Sequence, residues 1–253
     1  MPAENIYGHV QRLYWLRDHL DPADRAVEFG CGTGTLITAH LRAWGYDVSG
    51  IDLDAGSIEY GRGVLARAGL DPDALSTTDL RDYPGPLDVV IASEVLEHLD
   101  DATLAESLRL MHDKLAPDGR LLITVPNGYS EFELENWLWT HTGSGRLFEF
   151  MREGAVARAL RRLRGRLSAW QEPDHPMTVA DSPHLQRFTW RGIHRVLAVA
   201  GFEVVEARGA ILVCGPFSDL LLSGVESAMR LNQRLAQRFP RIASDFYLVA
   251  RKR

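Results

Sequence analysis

The sequence predicts an α/β fold in which helices cover both faces of a doubly wound, mostly parallel sheet of seven strands. Between residues 25 and 126, short apolar runs alternate with helical patterns, which is typical of parallel strands joined by crossover helices. The first run leads into VEFGCGTG (27–34), a turn with glycine at every second position. Because ligands of such folds bind beyond the carboxyl ends of the strands, this turn marks a candidate binding site.

The first five predicted strands alternate with three helices. LDVVIA (87–92) is apolar almost throughout, as expected of a central strand that is buried on both faces. Pro117 and Gly119 end the last of the three helices. The strands are predicted at 26–29, 47–51, 75–78, 87–92 and 121–125, and the helices at 35–43, 58–68 and 102–115.

The alternating pattern stops after Pro126 and resumes near residue 188. The segment between them is rich in aromatic residues and arginine, and it predicts an inserted helical lid between strands five and six. Beyond the lid, helices are predicted at 190–200 and 217–239, and strands at 203–207 and 246–250. We therefore predict one domain over 1–253, made of an N-terminal helical cap (1–24), a cofactor-binding core (25–127), the lid (128–187) and a C-terminal part of the core with an extra helix (188–253).

Composition argues against several classes of function. The net charge of −6 and the low lysine count argue against DNA and RNA as partners. The two cysteines, Cys31 and Cys214, provide neither a disulfide framework nor a zinc-binding pattern. No apolar run reaches the roughly 18 residues of a membrane span, and no charged-then-apolar leader precedes the first strand. These features predict a cytoplasmic protein, and the apolar positions of the helix predicted at 217–239 leave open whether it is a monomer or a homodimer.

The residues around the glycine turn indicate the kind of ligand. Glycine allows the backbone to approach a ligand where a Cβ atom would collide with it. Asp52, at the end of the second strand, can accept hydrogen bonds from both hydroxyls of an unphosphorylated ribose. Glu28, just before the turn, would repel a pyrophosphate but attract an ammonium group. Since the spacing also differs from the GxGxxG of dinucleotide-binding turns, a nucleoside joined to an amino acid is the predicted ligand.

These motifs resemble class I S-adenosylmethionine-dependent methyltransferases. The resemblance rests on VEFGCGTG, Asp52, Asp79 after the third strand and ASEVLEHL (92–99), and it returns in FTWRGIHRVLAVAGFEVVEARG (188–209). It implies a Rossmann-like fold with S-adenosylmethionine as the cofactor. Asp79 and Leu80 would then contact the adenine, and Arg12 would pair with the methionine carboxylate. The cofactor contacts expected on this basis are Glu28, Gly30, Cys31, Gly32, Gly34, Asp52, Leu53, Asp79, Leu80, Ser93, Glu94 and Arg12.

EVLEH (94–98) is the main candidate for the chemistry of methyl transfer. Glu94, Glu97 and His98 are spaced i, i+3 and i+4, so we expect them on one face of a helix after the fourth strand. In one interpretation, His98 is a general base that a carboxylate orients, and His184 is a second candidate base. In the other, these three side chains bind a divalent metal together with His184. The segment resembles quinone-biosynthesis O-methyltransferases and small-RNA 2′-O-methyltransferases, in which it binds metal, but also methyltransferases without metal, so both interpretations stay open.

The acceptor is expected near the end of the fifth strand and the lid. Asn127 and Tyr129 follow that strand and are the candidate substrate-binding residues. The stretch 158–166 interleaves arginines with leucines, a pattern suited to peripheral membrane contact through anionic lipid headgroups, to a phosphate-linked substrate or to a partner subunit. HLQRFTW (184–190) lacks the close His-x-Phe spacing expected of the RNA-modifying enzymes.

We therefore predict an enzyme that transfers the methyl group of S-adenosylmethionine, by in-line displacement, to an oxygen of a small-molecule metabolite or glycan-type acceptor. One alternative is a metal-assisted O-methyltransferase that acts on a polyprenylated phenol or an RNA 2′-hydroxyl. Another, from a different class, is a nucleoside-binding scaffold without catalysis.

Overall fold

The structure, a computed structural model, describes residues 8–130, 184–215 and 225–253, together with residues 135, 137, 141, 142 and 218. Among these residues, no helix combines the length and the apolar character that a membrane crossing requires. Most of the predicted lid falls outside this part of the chain, and so does the arginine-rich stretch 158–166.

Helices and strands alternate as the pattern predicts. The helices and strands are α1 (His9–Arg17), β1 (Ala26–Phe29), α2 (Thr38–Ala43), β2 (Val48–Ile51), α3 (Ala55–Arg67), β3 (Leu75–Ser76), β4 (Leu87–Ser93), α4 (Asp101–Lys114), β5 (Leu115–Pro126), α5 (Trp190–Val199), β6 (Phe202–Gly209), α6 (Glu226–Arg238) and β7 (Asp245–Lys252). Single 3₁₀ turns lie at Pro72–Ala74, Leu96–His98 and Pro240–Ile242.

In the described part of the chain, the seven strands form one sheet in the order β3-β2-β1-β4-β5-β7-β6. The pairs β1 with β2, β1 with β4, β2 with β3 and β4 with β5 are parallel, and the sheet as a whole is mostly parallel with some antiparallel pairing. The predicted fold class is thereby confirmed. The chain runs outward from β1 to β3 and then returns to β4 on the other side of β1. This reversal places a ligand-binding crevice at the carboxyl ends of β1 and β4.

The centre of the sheet is apolar on both faces. Four consecutive residues of β4, at 89–92, have no exposed surface, which accounts for the continuous apolar run in the sequence. The core around this strand also takes in side chains of α4, α5 and β7. Burial on both faces keeps the strand ends at the crevice in fixed positions, and the functional side chains are attached to those ends.

The chain divides into two compact units. Within the described residues, the sheet unit comprises 13–126, 184–207 and 246–253, and the second unit comprises 8–12, 127–130, 208–215 and 225–245. The glycine turn, Asp52 and EVLEH belong to the sheet unit. Arg12, Asn127 and Tyr129 belong to the second unit. The boundaries expected for the cap, core and lid stay predictions.

Helix α3 packs against the glycine turn through a position that has no side chain. A Cβ atom added at Gly61 would lie 2.0 Å from the carbonyl oxygen of Thr33 and 2.8 Å from Leu75 Cδ1. The carbonyl belongs to the backbone of the turn and cannot rotate away. Glycine at 61 is therefore what allows the helix to support the turn from behind.

We expect Gly61→Ala to lower the free energy of unfolding by about 2 kcal/mol, because the added methyl group overpacks the contact with Thr33. Gly63→Ala in the same helix is the matched control. Its Cβ would meet only Arg67 Nη1, at 3.4 Å. The free energy of unfolding of Gly63→Ala should rise by about 0.5–1 kcal/mol, because alanine is more stable than glycine in a helix by that amount. Urea denaturation measures both values, and effects of the same sign would contradict the packing argument.

Candidate functional site

The glycine turn between β1 and α2 has a backbone that only glycine adopts readily. Gly30, Gly32 and Gly34 have φ angles of +69°, +54° and +65°, all in the left-handed region. The amides of Gly30 and Cys31 both donate to the carbonyl of Ile51, at 2.9 and 3.1 Å. The turn is therefore hydrogen-bonded to the end of β2, where Asp52 follows.

Two of the three glycines are also required by packing within the protein. A Cβ atom at Gly30 would lie 2.3 Å from Val95 Cγ2, and one at Gly34 would lie 2.4 Å from Leu75 Cδ2. Close approach of a ligand, expected from the sequence, is one reason for glycine at these positions. The structure adds a protein contact that excludes a side chain, and through Val95 this contact brings the EVLEH segment against the turn.

Asp52 connects the glycine turn to the start of α3. Its Oδ2 accepts a hydrogen bond from the amide of Gly32 at 2.8 Å, and its Oδ1 accepts one from the amide of Asp54 at 2.9 Å. A carboxylate oxygen has two acceptor positions, so each oxygen can accept a second donor such as a ribose hydroxyl. Leu53 is 78% exposed beside it and offers an apolar surface at the same edge.

Glu28 is buried next to the turn and has a partner, Thr38, that the sequence pattern does not indicate. Its Oε2 accepts hydrogen bonds from the amide of Thr38 at 3.0 Å and from the Thr38 hydroxyl at 2.5 Å. Burial raises the pKa of Glu28 to about 7, and the nearby charge of Asp52 adds to this rise, whereas the bonds from Thr38 oppose it. The side chain anchors the start of α2, and its expected contact with a cofactor ammonium stays a prediction.

Cys31 lies within the turn as a neutral thiol. Burial, followed by the charges of Glu28 and Asp52, raises its pKa above the ordinary thiol value. The Sγ atom lies 3.6 Å from the carbonyl oxygen of Gly32, a distance at which a thiol donates a weak hydrogen bond. An uncharged thiol of this kind is a packing element of the turn and not a nucleophile.

Asp79 and Leu80 follow β3. Asp79 Oδ1 accepts a hydrogen bond from the amide of Arg81 at 2.7 Å, which closes a short turn. Leu80 is 1% exposed and packs in the main core, so it presents almost no surface to a ligand. Of the two residues expected to contact an adenine, Asp79 is the one with accessible polar atoms.

The end of β4 is tied to β5 by a chain of hydrogen bonds. The hydroxyl of Thr124 donates to Glu94 Oε1 at 2.9 Å, so the Ser93 hydroxyl, 2.8 Å away, donates to Thr124. The amide of Glu94 donates to the carbonyl of Thr124. Glu94 has a φ angle of +52°, in the left-handed region. Among the described residues, it is the one non-glycine residue with a positive φ angle. Such strain is held in place by surrounding structure and is typical of functional sites.

The EVLEH segment is not the start of an α-helix. Leu96–His98 is a single 3₁₀ turn, and α4 begins only at Asp101, where Asp100 caps it by accepting from the amide of Thr103. The expectation that Glu94, Glu97 and His98 share one helix face is therefore wrong. Glu94 has a left-handed backbone conformation and its carboxylate bonds to Thr124 on β5, whereas Glu97 and His98 contact a different partner.

That partner is His184. The rings of His98 and His184 have centroids 5.1 Å apart with an interplanar angle of 67°, and Glu97 Oε1 lies 3.8 Å from His98 Nε2. Glu97 is buried, His98 is partly buried and His184 is exposed. One ligand atom from each of the three lies within 4.8 Å of the others. We call this group the Glu97–His98–His184 cluster.

Backbone hydrogen bonds hold His184 in the cluster. The amides of Leu185 and Gln186 both donate to the carbonyl of Glu97, at 2.8 and 2.9 Å, and the Gln186 side chain donates to the carbonyl of Leu99. The segment after His184 is therefore attached to the same 3₁₀ turn that carries His98. With a carboxylate and two imidazoles, the cluster can accept a proton or bind a divalent transition metal.

The other predicted site residues lie in the second unit. Arg12 Nη2 is 3.8 Å from Asp245 Oδ2, so this guanidinium has a carboxylate partner on β7. Asn127 is 5% exposed; its amide group donates to the carbonyl of Ala243 and its Oδ1 accepts from the amide of Tyr129. Tyr129 is 70% exposed. Asn127 shapes its own loop, and Tyr129 has the more accessible polar group of the two.

Comparison with known proteins adds the family. Residues 9–207 match a family model described as a methyltransferase domain. Sphingolipid C9-methyltransferase 1 of Gibberella zeae is 27% identical over 124 residues, which are 47% of this chain and 24% of that protein. The ubiquinone biosynthesis O-methyltransferase of Stutzerimonas stutzeri is 30% identical over 120 residues, which are 46% of this chain and 50% of that protein. The matched residues thus cover between about a quarter and a half of the length of these two relatives.

A solved structure shows the same fold over nearly the whole chain. It is a SAM-dependent methyltransferase of Archaeoglobus fulgidus, with a TM-score of 0.53 and 20% identity. The superposition covers 96% of this chain and 92% of that one. At this identity the similarity concerns the fold.

We expect the buried Glu28 to make stability depend on pH. Its pKa of about 7 exceeds the 4.5 of an ordinary glutamate, so between these two values the native state holds a proton that the unfolded state has released. The free energy of unfolding therefore falls as the pH rises through this window, by about 3 kcal/mol. Glu28→Gln keeps an acceptor for Thr38 but does not titrate. The free energy of unfolding of this variant, relative to that of the wild type, should therefore rise by about 3 kcal/mol between pH 4.5 and 7.5.

Urea denaturation at several pH values measures this difference. Glu203→Gln, at an exposed position of β6, is the matched control. Its free energy of unfolding should change with pH as that of the wild type does. A Glu28→Gln curve that is also parallel to the wild type would contradict the raised pKa.

Proposed function

The chain belongs to the methyltransferase domain family, and we propose that this S-adenosylmethionine-dependent enzyme methylates a hydroxyl oxygen of a small-metabolite or glycan-type acceptor. The observation that carries the proposal is the position of the Glu97–His98–His184 cluster. Val95, three residues before His98, packs against Gly30 of the glycine turn. The 3₁₀ turn that carries the candidate proton acceptor therefore begins one residue after this contact with the turn that we assign to the cofactor.

The residues at the crevice fit S-adenosylmethionine. We assign the ribose hydroxyls to Asp52, whose two oxygens each have a remaining acceptor position, and the adenine edge to Asp79 with the exposed Leu53. The carboxylate of Asp52, together with Glu28, which is only partly ionised near neutral pH, suits a cationic cofactor and disfavours a pyrophosphate. S-adenosylmethionine supplies an electrophilic methyl group on its sulfonium, and the remaining steps depend on this chain's own residues.

The candidate base supports oxygen as the acceptor atom. A hydroxyl is a weak nucleophile at neutral pH, and removal of its proton during methyl transfer requires a positioned group such as His98. The buried carboxylate of Glu97, 3.8 Å from the ring, stabilises the positive charge that develops on the imidazole. The name of the Stutzerimonas stutzeri relative, an O-methyltransferase, supports the same atom. We propose the exposed hydroxyl of Tyr129 as an acceptor-binding group.

A second candidate is metal-assisted methylation of an acceptor hydroxyl. The observation in its favour is the donor set of the cluster, one carboxylate and two imidazoles whose ligand atoms lie within 4.8 Å of one another. Imidazole and carboxylate together suit Zn²⁺, Mn²⁺ and related ions, which would lower the pKa of a bound hydroxyl. A polyprenylated phenol fits this mechanism, as the ubiquinone-biosynthesis relative suggests. An RNA 2′-hydroxyl is disfavoured by the net charge of −6, and family membership favours an enzyme over a binding scaffold.

We expect His98→Ala to lower turnover by about 100-fold or more if His98 is the base, because general base catalysis contributes at least that much. Turnover is measured as S-adenosylhomocysteine release with an acceptor selected from a panel of hydroxyl-bearing metabolites and glycans. Affinity for S-adenosylhomocysteine, measured by calorimetry, should stay unchanged. His194→Ala is the matched control, since this histidine lies on α5, hydrogen-bonded to the carbonyl of Trp190. Turnover in His98→Ala equal to that of the control would exclude the base.

Metal removal separates the two mechanisms. In the base mechanism, turnover after dialysis against a chelator should equal that of the untreated enzyme, and His184→Ala should be milder than His98→Ala because His184 is exposed. In the metal mechanism, turnover should fall on dialysis and return on adding one divalent ion. Bound metal, measured by mass spectrometry, should then be lost to the same extent in Glu97→Gln, His98→Ala and His184→Ala.

A further inference from the structure

Helix α6 and the 3₁₀ turn after it expose a row of large apolar side chains. Leu231, Leu235, Phe239 and Ile242 are 57%, 37%, 50% and 62% exposed. Leu231 and Leu235 are four residues apart and lie on one side of the helix, whereas Phe239 follows its last residue and Ile242 lies in the 3₁₀ turn. The helix already has an interior face, formed by the buried Met229, Asn232 and Ala236. The exposed row is therefore additional to the face that anchors α6.

A row of arginines runs beside the apolar row. Arg230, Arg234, Arg238 and Arg241 each precede one of the four apolar residues and have the same spacing. All four are exposed. On a helix, one residue corresponds to a rotation of about 100°, so within α6 the arginines lie next to Leu231 and Leu235, and beyond it Arg241 and Ile242 are neighbours in the 3₁₀ turn. We call them together the Arg-apolar face.

The arginines are largely unneutralised by the protein itself. Arg230 pairs with Glu226 at 2.6 Å, and the Arg238 guanidinium lies 5.9 Å from the ring centroid of Phe239. In the part of the chain that the structure describes, Arg234 and Arg241 have no carboxylate within ion-pair distance. The segment 226–242 contains four arginines and one acidic residue, a net charge of +3 in a chain whose total is −6. The positive charge is therefore concentrated where the apolar side chains are exposed.

We propose that the Arg-apolar face docks on the surface of an anionic lipid bilayer. Leucine, phenylalanine and isoleucine would enter the boundary between headgroups and acyl chains, while the adjacent arginines would contact lipid phosphates. Two parallel rows, one apolar and one cationic, match the layered chemistry of that boundary, in which apolar and anionic groups lie a few ångströms apart. The face contains none of the residues assigned to the cofactor or the acceptor, so this inference is independent of the reaction.

Vesicle binding by the full chain tests the proposal. In flotation assays, the protein should bind vesicles that contain about one third phosphatidylglycerol and bind weakly to vesicles of phosphatidylcholine alone. Binding should weaken as the salt concentration rises, because the arginine contacts are screened. The double variant Arg234→Glu/Arg238→Glu should lower the partition coefficient by ~30-fold or more. Leu231→Ser/Leu235→Ser should lower it by about tenfold.

Matched controls come from α5. Arg191→Glu/Arg195→Glu makes the same charge change at two exposed positions of another helix, and Val199→Ser removes an apolar side chain that is 85% exposed. Both should bind vesicles as the wild type does. All positions changed are exposed, and thermal unfolding verifies that each variant is folded.

Three results would overturn the proposal. The first is binding that does not distinguish anionic from neutral vesicles, and the second is α6 variants that bind as the α5 controls do. The third is a different occupant. If light scattering shows a dimer that Leu231→Ser/Leu235→Ser dissociates, the face is an interface between two copies, and if only an acidic peptide binds, the partner is a protein.

Discussion

The candidate site depends on close backbone contacts at positions without a side chain. Gly30 lies against Val95, Gly34 against Leu75 and Gly61 against the carbonyl of Thr33, each at a separation that excludes a Cβ atom. Through these contacts the loop after β1 meets the end of β4, strand β3 and helix α3. The turn is therefore fixed from three sides before any ligand is considered. Preorganisation of this kind reduces the ordering that a cofactor must otherwise impose on its binding loop.

The same region holds two carboxyl groups, of which Asp52 is partly buried and Glu28 is buried. Asp52 is fixed by two backbone amides, whereas Glu28 is buried deeply enough that its pKa rises to about 7. The protein retains this carboxyl although burying it has a cost in stability near neutral pH, and the bonds to Thr38 recover only part of that cost. Its retention is consistent with a structural task, the anchoring of α2, together with an electrostatic preference for a cationic ligand.

Much of the fold and part of the site follow from local sequence patterns. Apolar runs and their spacing predicted the strands and the fold class, because burial on two faces leaves a direct signature in segments such as LDVVIA. The spacing of its glycines likewise predicted the turn at 30–34. Three features were not predicted: the bonds of Glu28 to Thr38, the contact of Gly61 with Thr33 and the 3₁₀ turn at Leu96–His98. Each of these features depends on which elements meet in three dimensions. The i, i+3, i+4 spacing of EVLEH is typical of a helix face, but the same spacing also occurs in segments that form no α-helix.

The strained backbone at Glu94 explains how the Glu97–His98–His184 cluster forms. With a φ angle of +52°, Glu94 turns the chain at the end of β4, and its carboxylate bonds to Thr124 on β5. The following 3₁₀ turn then presents the carbonyl of Glu97 to the amides of Leu185 and Gln186. A regular helix from Glu94 would engage that carbonyl in its own hydrogen-bond ladder and leave the segment at 184–186 without this anchor. Because Glu94 is left-handed, no α-helix starts there and the carbonyl of Glu97 stays available to the distant segment at 184–186. This contact brings His184 next to His98.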